Sequence, residues 1–113
     1  MRNREVANIL LKIADMLQIK GDNPYKIRAY RTAAESIYHL DEDIAILYEK
    51  GRVREIPGIG DAVAGKIGEI LKTGSCEYYD RLSKEFPAGL LDMLVVPGLG
   101  HKSVKLIYDN LGI

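Results

Sequence analysis

Ile56-Pro57-Gly58-Ile59-Gly60 and, forty residues later, Val96-Pro97-Gly98-Leu99-Gly100 are two copies of one pattern, apolar-Pro-Gly-apolar-Gly. The likeness continues through Ala64/Val104, Ile67/Ile107 and Leu71/Leu111, the spacing of an amphipathic helix. Each copy therefore reads as a tight bend at the start of a helix, preceded by another helical stretch. Proline sets the entry angle, while Gly58, Gly60, Gly98 and Gly100 permit positive φ and let a partner approach without a Cβ in the way. Ile59 and Leu99 should plug each bend into its own core. Free amides at such a helix N-terminus, aided by the helix dipole, form a seat for phosphate. The leftover carbonyls near Ile56, Ile59, Val96 and Leu99 could hold a monovalent cation, Na or K. Read alone, one such bend is as readily a plain corner between helices; the repeat favours binding of sugar-phosphate.

Outward from the bends, every stretch has helical spacing. Val6, Ile9, Leu10, Ile13 and Leu17 predict a first helix from Asn3 to about Gly21. Asn23-Pro24 reads as a cap followed by proline at the first helical position, opening a second helix to about Leu40 with Ile27, Tyr30, Ala34, Ile37 and Tyr38 on its apolar face. Asp41 is expected to cap a third helix, with Ile44, Leu47 and Tyr48 inward and Gly51 as its left-handed stop. Helices are expected over about 61–73, 76–85, 88–95 and 101–111. Alternating segments are missing, so the fold class is all-α, with a helix, hairpin and second helix twice over. Residues 1–86 would form one small helical domain containing the first such motif at about 44–73, and residues 87–113 would carry the second and begin another subdomain.

The chain has 113 residues, with sixteen Lys plus Arg against sixteen Asp plus Glu. That suits one compact core, or two very small ones, and excludes a multidomain enzyme. Net charge zero gives no hint of a nucleic-acid partner, so charge must be read locally. Cys76 is the sole cysteine, which excludes an internal disulfide and argues against a zinc site. No apolar run reaches the length of a membrane span and the first residues do not resemble a signal peptide. A soluble, cytoplasmic monomer is expected. His39 and His101 have no triad companions and should be surface residues.

The run Asn23-Pro24-Tyr25-Lys26-Ile27-Arg28-Ala29-Tyr30-Arg31-Thr32-Ala33-Ala34, then the first bend with Lys66 and Thr73-Gly74, then the second bend, resembles the N-terminal part of family X DNA polymerases, in the bacterial and archaeal branch. The resemblance covers the whole chain. It implies a small helical domain on the 5′-phosphate side of gapped or nicked DNA, with the second hairpin gripping the primer-side backbone at the start of the polymerase proper. The resemblance then implies an N-terminal fragment acting in gap-filling repair, nucleoid-associated in a prokaryote. The two Mg ions of nucleotidyl transfer would belong to a palm domain outside it.

Lys66 follows Val63 by three residues and precedes Ile70 by four, in the middle of an apolar stripe, and the matching position in the second copy is Leu106. Partial burial is the inference. An amine held partly out of water is the kind that attacks an aldehyde near neutral pH, although snorkelling or simple phosphate contact is the favoured reading from spacing alone. The resemblance makes Lys66 a Schiff-base nucleophile for 5′-deoxyribose-phosphate lyase chemistry, which needs no metal or other cofactor. Ala62 and Tyr78 occupy places where relatives carry phosphate-holding lysines, and Gly65 one that is often acidic.

Residues 20–31 hold Lys20, Lys26, Arg28 and Arg31 against Asp22 alone, a local basic patch. By resemblance Lys26 would take the 5′-phosphate, Tyr30 would position Lys66 or the sugar, and Tyr25 would stack on a template base. Arg31 joins them as a candidate DNA contact. Lys50, Arg52 and Arg54 read as a solvated approach to the first hairpin. At the second hairpin Lys102 and Ser103, with His101 and Lys105, are candidates for phosphate. The rival readings are a non-catalytic DNA-binding module and a helical protein-interaction domain.

Overall fold

A computed structural model describes residues 2–86, and in it these residues form helices and no strand. Helix α1 spans Asn3–Lys20, α2 Pro24–Tyr38, α3 Ile44–Glu49, α4 Asp61–Thr73 and α5 Glu77–Lys84, with a 3-10 turn at Val53–Glu55. The expected helices over 88–95 and 101–111, and the second bend with Gly98, Leu99, Gly100, His101, Lys102, Ser103 and Lys105, lie outside the described residues.

The anticipated helix punctuation is mostly where the residue chemistry puts it. Gly21, Gly51 and Gly74 take left-handed φ of 77°, 68° and 85° behind their helices. The Asn23 carboxamide accepts the Tyr25 amide ahead of Pro24. One cap differs: Asp43, not Asp41, caps α3, its carboxylate accepting the Ala45 amide at 3.0 Å. Asn3 explains the shift. Its buried carboxamide donates to the Glu42 carbonyl at 2.7 Å and accepts from the Ile44 amide at 2.8 Å, so α1 sets where α3 begins.

The core lies between α1 and α2 and is closed by the other elements. Leu10, Ile13, Met16, Leu17, Ile37, Ile44, Ile67 and Ile70 are fully buried in it, the main source of the fold's stability. Tyr38 was expected on the apolar face of α2 but is about half exposed. It lies at the last turn, where the Arg4 guanidinium covers its ring at 5.6 Å. Arg2 ties the end of α4 to the start of α1 by donating to the Leu71 carbonyl, one that a helix end leaves without an intrahelical partner, and to the Ile70 carbonyl, which also accepts the Gly74 amide. Helix α5 returns to α1 through Lys20 to Glu85 at 2.9 Å and the Ser83 hydroxyl on Met16 Sδ.

Candidate nucleic-acid interface

The first bend is a hydrogen-bonded turn in which the Ile59 amide donates to the Ile56 carbonyl at 3.2 Å. Pro57 and Gly58 are its central residues, and Gly58 has φ of 85°, the proline-then-glycine arrangement that a type II turn requires. Ile56 and Ile59 are buried on either side of it. Ile59 is thus the plug expected from the motif, and the bend's own apolar residues hold its glycines outward.

Helix α2 braces the bend from behind. The Ser36 hydroxyl donates to the Pro57 carbonyl at 2.8 Å, and one turn earlier Thr32 packs against Gly58 so closely that a Cβ there would meet Cγ2 at 2.6 Å. Gly60 differs. Its φ of −99° and ψ of −170° suit any residue, and nothing stands within 4 Å of where its Cβ would be. Gly58, Gly60, Asp61 and Ala62 are all exposed. The amides of Gly58, Gly60, Asp61, Ala62 and Val63 meet no acceptor among the described residues. Gly60 caps α4 without a side-chain hydrogen bond, so the amides of the exposed Gly60, Asp61 and Ala62 stand without a partner at the positive end of a thirteen-residue helix. The Asp61 carboxylate pairs with Arg54 and makes no bond to those amides.

A second group of residues gathers around Tyr78. Its ring is stacked with Tyr30 at 6.2 Å between centroids, 20° from parallel. Lys66 Nζ lies over the Tyr78 ring at 4.9 Å and over the Tyr30 ring at 5.9 Å, while Lys26 Nζ is 5.7 Å from the Tyr78 centroid. Lys66 is half-buried, as the apolar stripe implied, and makes no ion pair with the described carboxylates. Lys26 meets only Asp22, at 3.8 Å. Burial, with the neighbouring Tyr78 and Cys76 adding to it, pushes the Tyr30 phenol well above its ordinary value, so at neutral pH it is a neutral hydroxyl. Burial likewise pushes the Cys76 thiol up, and its sulfur accepts the Tyr79 amide at the start of α5.

The structure brings Lys26, Tyr30 and Lys66 together and leaves two other candidates apart. Arg31 turns to α1, where it pairs with Asp15 at 3.2 Å and donates to the Gln18 side chain. Tyr25 projects from the first turn of α2 and is 79% exposed. In the Lys50, Arg52, Arg54 cluster, Arg52 pairs with Glu55 and Arg54 with Asp61. Sequence reasoning missed Thr32 and Ser36 as the brace, and it treated Tyr78 only as a missing lysine. No periodicity links position 78 with positions 30 and 66, so nothing in the linear pattern marks it.

A family model described as a helix-hairpin-helix domain matches residues 1–76. The chain belongs to the helix-hairpin-helix family. It is also 34% identical over 113 residues, its entire length, to the Bacillus subtilis (strain 168) protein named DNA polymerase/3'-5' exonuclease PolX. The matching region is the N-terminal part of that family X polymerase, which agrees with the likeness read from the ordered motifs. The chain spans 19% of that relative's length. The braced bend at 56–60 lies within the matched residues. None of the described helices is long and apolar enough to cross a membrane.

Proposed function

We propose that this helix-hairpin-helix chain holds the sugar-phosphate backbone of gapped or nicked DNA for a family X polymerase engaged in gap-filling repair. The observation that carries the reading is the set of unpartnered amides of the exposed residues Gly58, Gly60, Asp61 and Ala62, on a bend that α2 keeps rigid. Donors fixed in place lose little entropy when a phosphate arrives, and backbone contacts of this kind carry no base preference. The hairpin's neutral oxygens suit a monovalent cation, Na or K: the Ile59 carbonyl accepts no hydrogen bond among the described residues. Such an ion would add positive charge beside the phosphate. The matching contacts at Gly98, Leu99, Gly100, Lys102 and Ser103 complete the proposal at the second hairpin. Nucleotidyl transfer would need carboxylates holding metal ions, and among the described residues no group of three His, Cys, Asp or Glu is placed to hold one.

The surroundings of Lys66 favour a second activity on the same DNA, 5′-deoxyribose-phosphate lyase action. The amine would attack C1′ of a base-free 5′ sugar, lose water and form a Schiff base. Loss of the C2′ proton to solvent would then expel the phosphate at C3′, releasing the strand and leaving the sugar on Lys66 until water frees it. Lys26 would hold the 5′-phosphate, and the neutral Tyr30 hydroxyl would position the amine or the sugar.

Titrating gapped DNA against the protein at several salt concentrations tests the binding. The affinity should fall linearly on logarithmic axes with a slope set by the phosphates contacted. A salt-independent affinity would overturn the proposal in favour of a protein-interaction domain. Borohydride trapping on DNA bearing a 5′ abasic sugar should give a covalent adduct that Lys66→Ala abolishes. An undiminished adduct in that variant removes Lys66 as the nucleophile, and no adduct with the unaltered chain leaves a binding module alone.

A further inference from the structure

The side of α2 that braces the bend continues past it. Thr32 and Ser36, which hold Gly58 and Pro57, are one turn apart, and the same side runs on toward the start of the helix through Arg28, four residues before Thr32. Arg28 therefore stands about 6 Å along the helix axis from the residue that meets Gly58. Helical side chains lean toward the N-terminus, so its guanidinium is directed away from the bend, toward the end of α2 where Tyr25 is 79% exposed.

Arg28 also differs from the other cations of residues 20–31. Lys20 pairs with Glu85 at 2.9 Å, Arg31 with Asp15 at 3.2 Å, and Lys26 stands 3.8 Å from Asp22 with its ammonium over the Tyr78 ring. Arg28 is exposed and makes no ion pair among the described residues. It edges a cleft of about 350 Å³ shared with Gln18, Pro24, Ile27 and Arg31, and no carboxylate lines that cleft. Asp22, the acid closest to it in sequence, accepts the Asn23 amide at 2.6 Å and faces Lys26. The first turn of α2 holds no acidic residue, so the positive end of the helix dipole adds to the guanidinium charge.

A paired cation must lose its carboxylate before it can take a phosphate. An unpaired guanidinium need not, and its fork of donors matches two phosphate oxygens. We propose that Arg28 is a DNA contact beside the first hairpin: it takes an internucleotide phosphodiester of the strand whose nearby phosphate sits on the hairpin amides, so the bound strand leaves the bend along α2 toward Tyr25. The inference rests on the reading of the hairpin as a sugar-phosphate seat and adds the direction in which the strand departs. The group recognised is a diester within a strand and not a strand end, and the contact carries no base preference.

The test uses gapped DNA with a 5′-hydroxyl on the downstream strand, which removes the terminal phosphate from the comparison. Arg28→Gln should weaken binding and reduce the steepness of the logarithmic salt dependence by about 0.7 to 0.9, the share of one phosphate. Arg28→Lys, which keeps the charge, should retain the slope. Thermal melts of both variants should match the unaltered chain, because the side chain is exposed and unpaired. Binding by Arg28→Gln with an unchanged slope overturns the contact and leaves the hairpin reading standing. Absence of salt-dependent binding in the unaltered chain overturns the hairpin reading and the contact with it.

Single methylphosphonate substitutions, each making one diester neutral, then locate the contact on the strand. Arg28→Gln should become insensitive at one position to which the unaltered chain responds, and Gly60→Ala at another close beside it. A reduced slope with every position as sensitive as before marks a long-range effect of charge and overturns the contact. Loss at one and the same position in both variants overturns the proposed direction of the strand.

Discussion

Thr32 Cγ2 stands 2.6 Å from the point where a Cβ on Gly58 would lie, so the hairpin is shaped by a residue of α2 twenty-six positions earlier in the chain as well as by its own sequence. The contact, with the Ser36 hydroxyl on the Pro57 carbonyl, presses the bend onto α2 and turns its amides outward. It also means that the two glycines of the motif serve different ends. Gly58 satisfies the fold through a left-handed φ and a close approach, and Gly60 satisfies neither need.

Gly58→Ala should therefore destabilise the protein by about 1–3 kcal/mol, from left-handed backbone strain and overpacking together. Adding Thr32→Ala should recover the packing part alone. Gly60→Ala should leave the melting temperature unchanged and weaken binding to gapped DNA, since its Cβ would stand on the open side of the bend. Thermal melts and DNA titrations on the three variants check both halves. A Gly60→Ala chain that binds as before would mean that phosphate does not approach that glycine.

Asn3 is the buried polar joint between α1 and α3. Asn3→Leu should cost about 2–4 kcal/mol, because it strands the Ile44 amide and the Glu42 carbonyl away from water. The loss should be read by urea denaturation, with the slope of the transition unchanged. Hydrogen exchange should speed up at Ile44 ahead of the α1 core.

Gly68 meets the Tyr48 ring, where an added Cβ would fall 2.2 Å from the hydroxyl. Gly68→Ala should lower stability by about 1–3 kcal/mol despite alanine's better helix propensity. Pairing it with Tyr48→Leu should be less damaging than the two losses added, a coupling that a double-mutant cycle measures.

The Tyr30 phenol ionises less readily in the fold than in the unfolded chain, where its pKa is about 10. Its acid form is thus favoured by folding. The contribution is complete at neutral pH and declines as pH rises past that unfolded value, because the unfolded chain then gains by releasing the proton. Melting temperatures between pH 8 and pH 11 should fall more steeply for the unaltered chain than for Tyr30→Phe. Parallel curves would show that Tyr30 takes up no part of the alkaline loss.

Local chemistry determined the helices, their glycine stops, the Asn23-Pro24 start and the Pro57-Gly58 turn, since each depends on residues within one or two turns of the chain. The half-buried place of Lys66 was legible for the same reason: a charge at the centre of an apolar stripe is a local contradiction. Tertiary structure decided the rest. Asp43 caps α3 in place of Asp41 because Asn3 pins Glu42 and Ile44. Arg31 leaves the basic patch because Asp15 and Gln18 wait on α1, and Tyr38 stays half exposed at the last turn of α2, under Arg4. Tyr78 meets Lys26, Tyr30 and Lys66 only because α5 folds back beside α2 and α4. Such meetings depend on packing between distant segments, and periodicity in a linear sequence carries no record of which faces will touch.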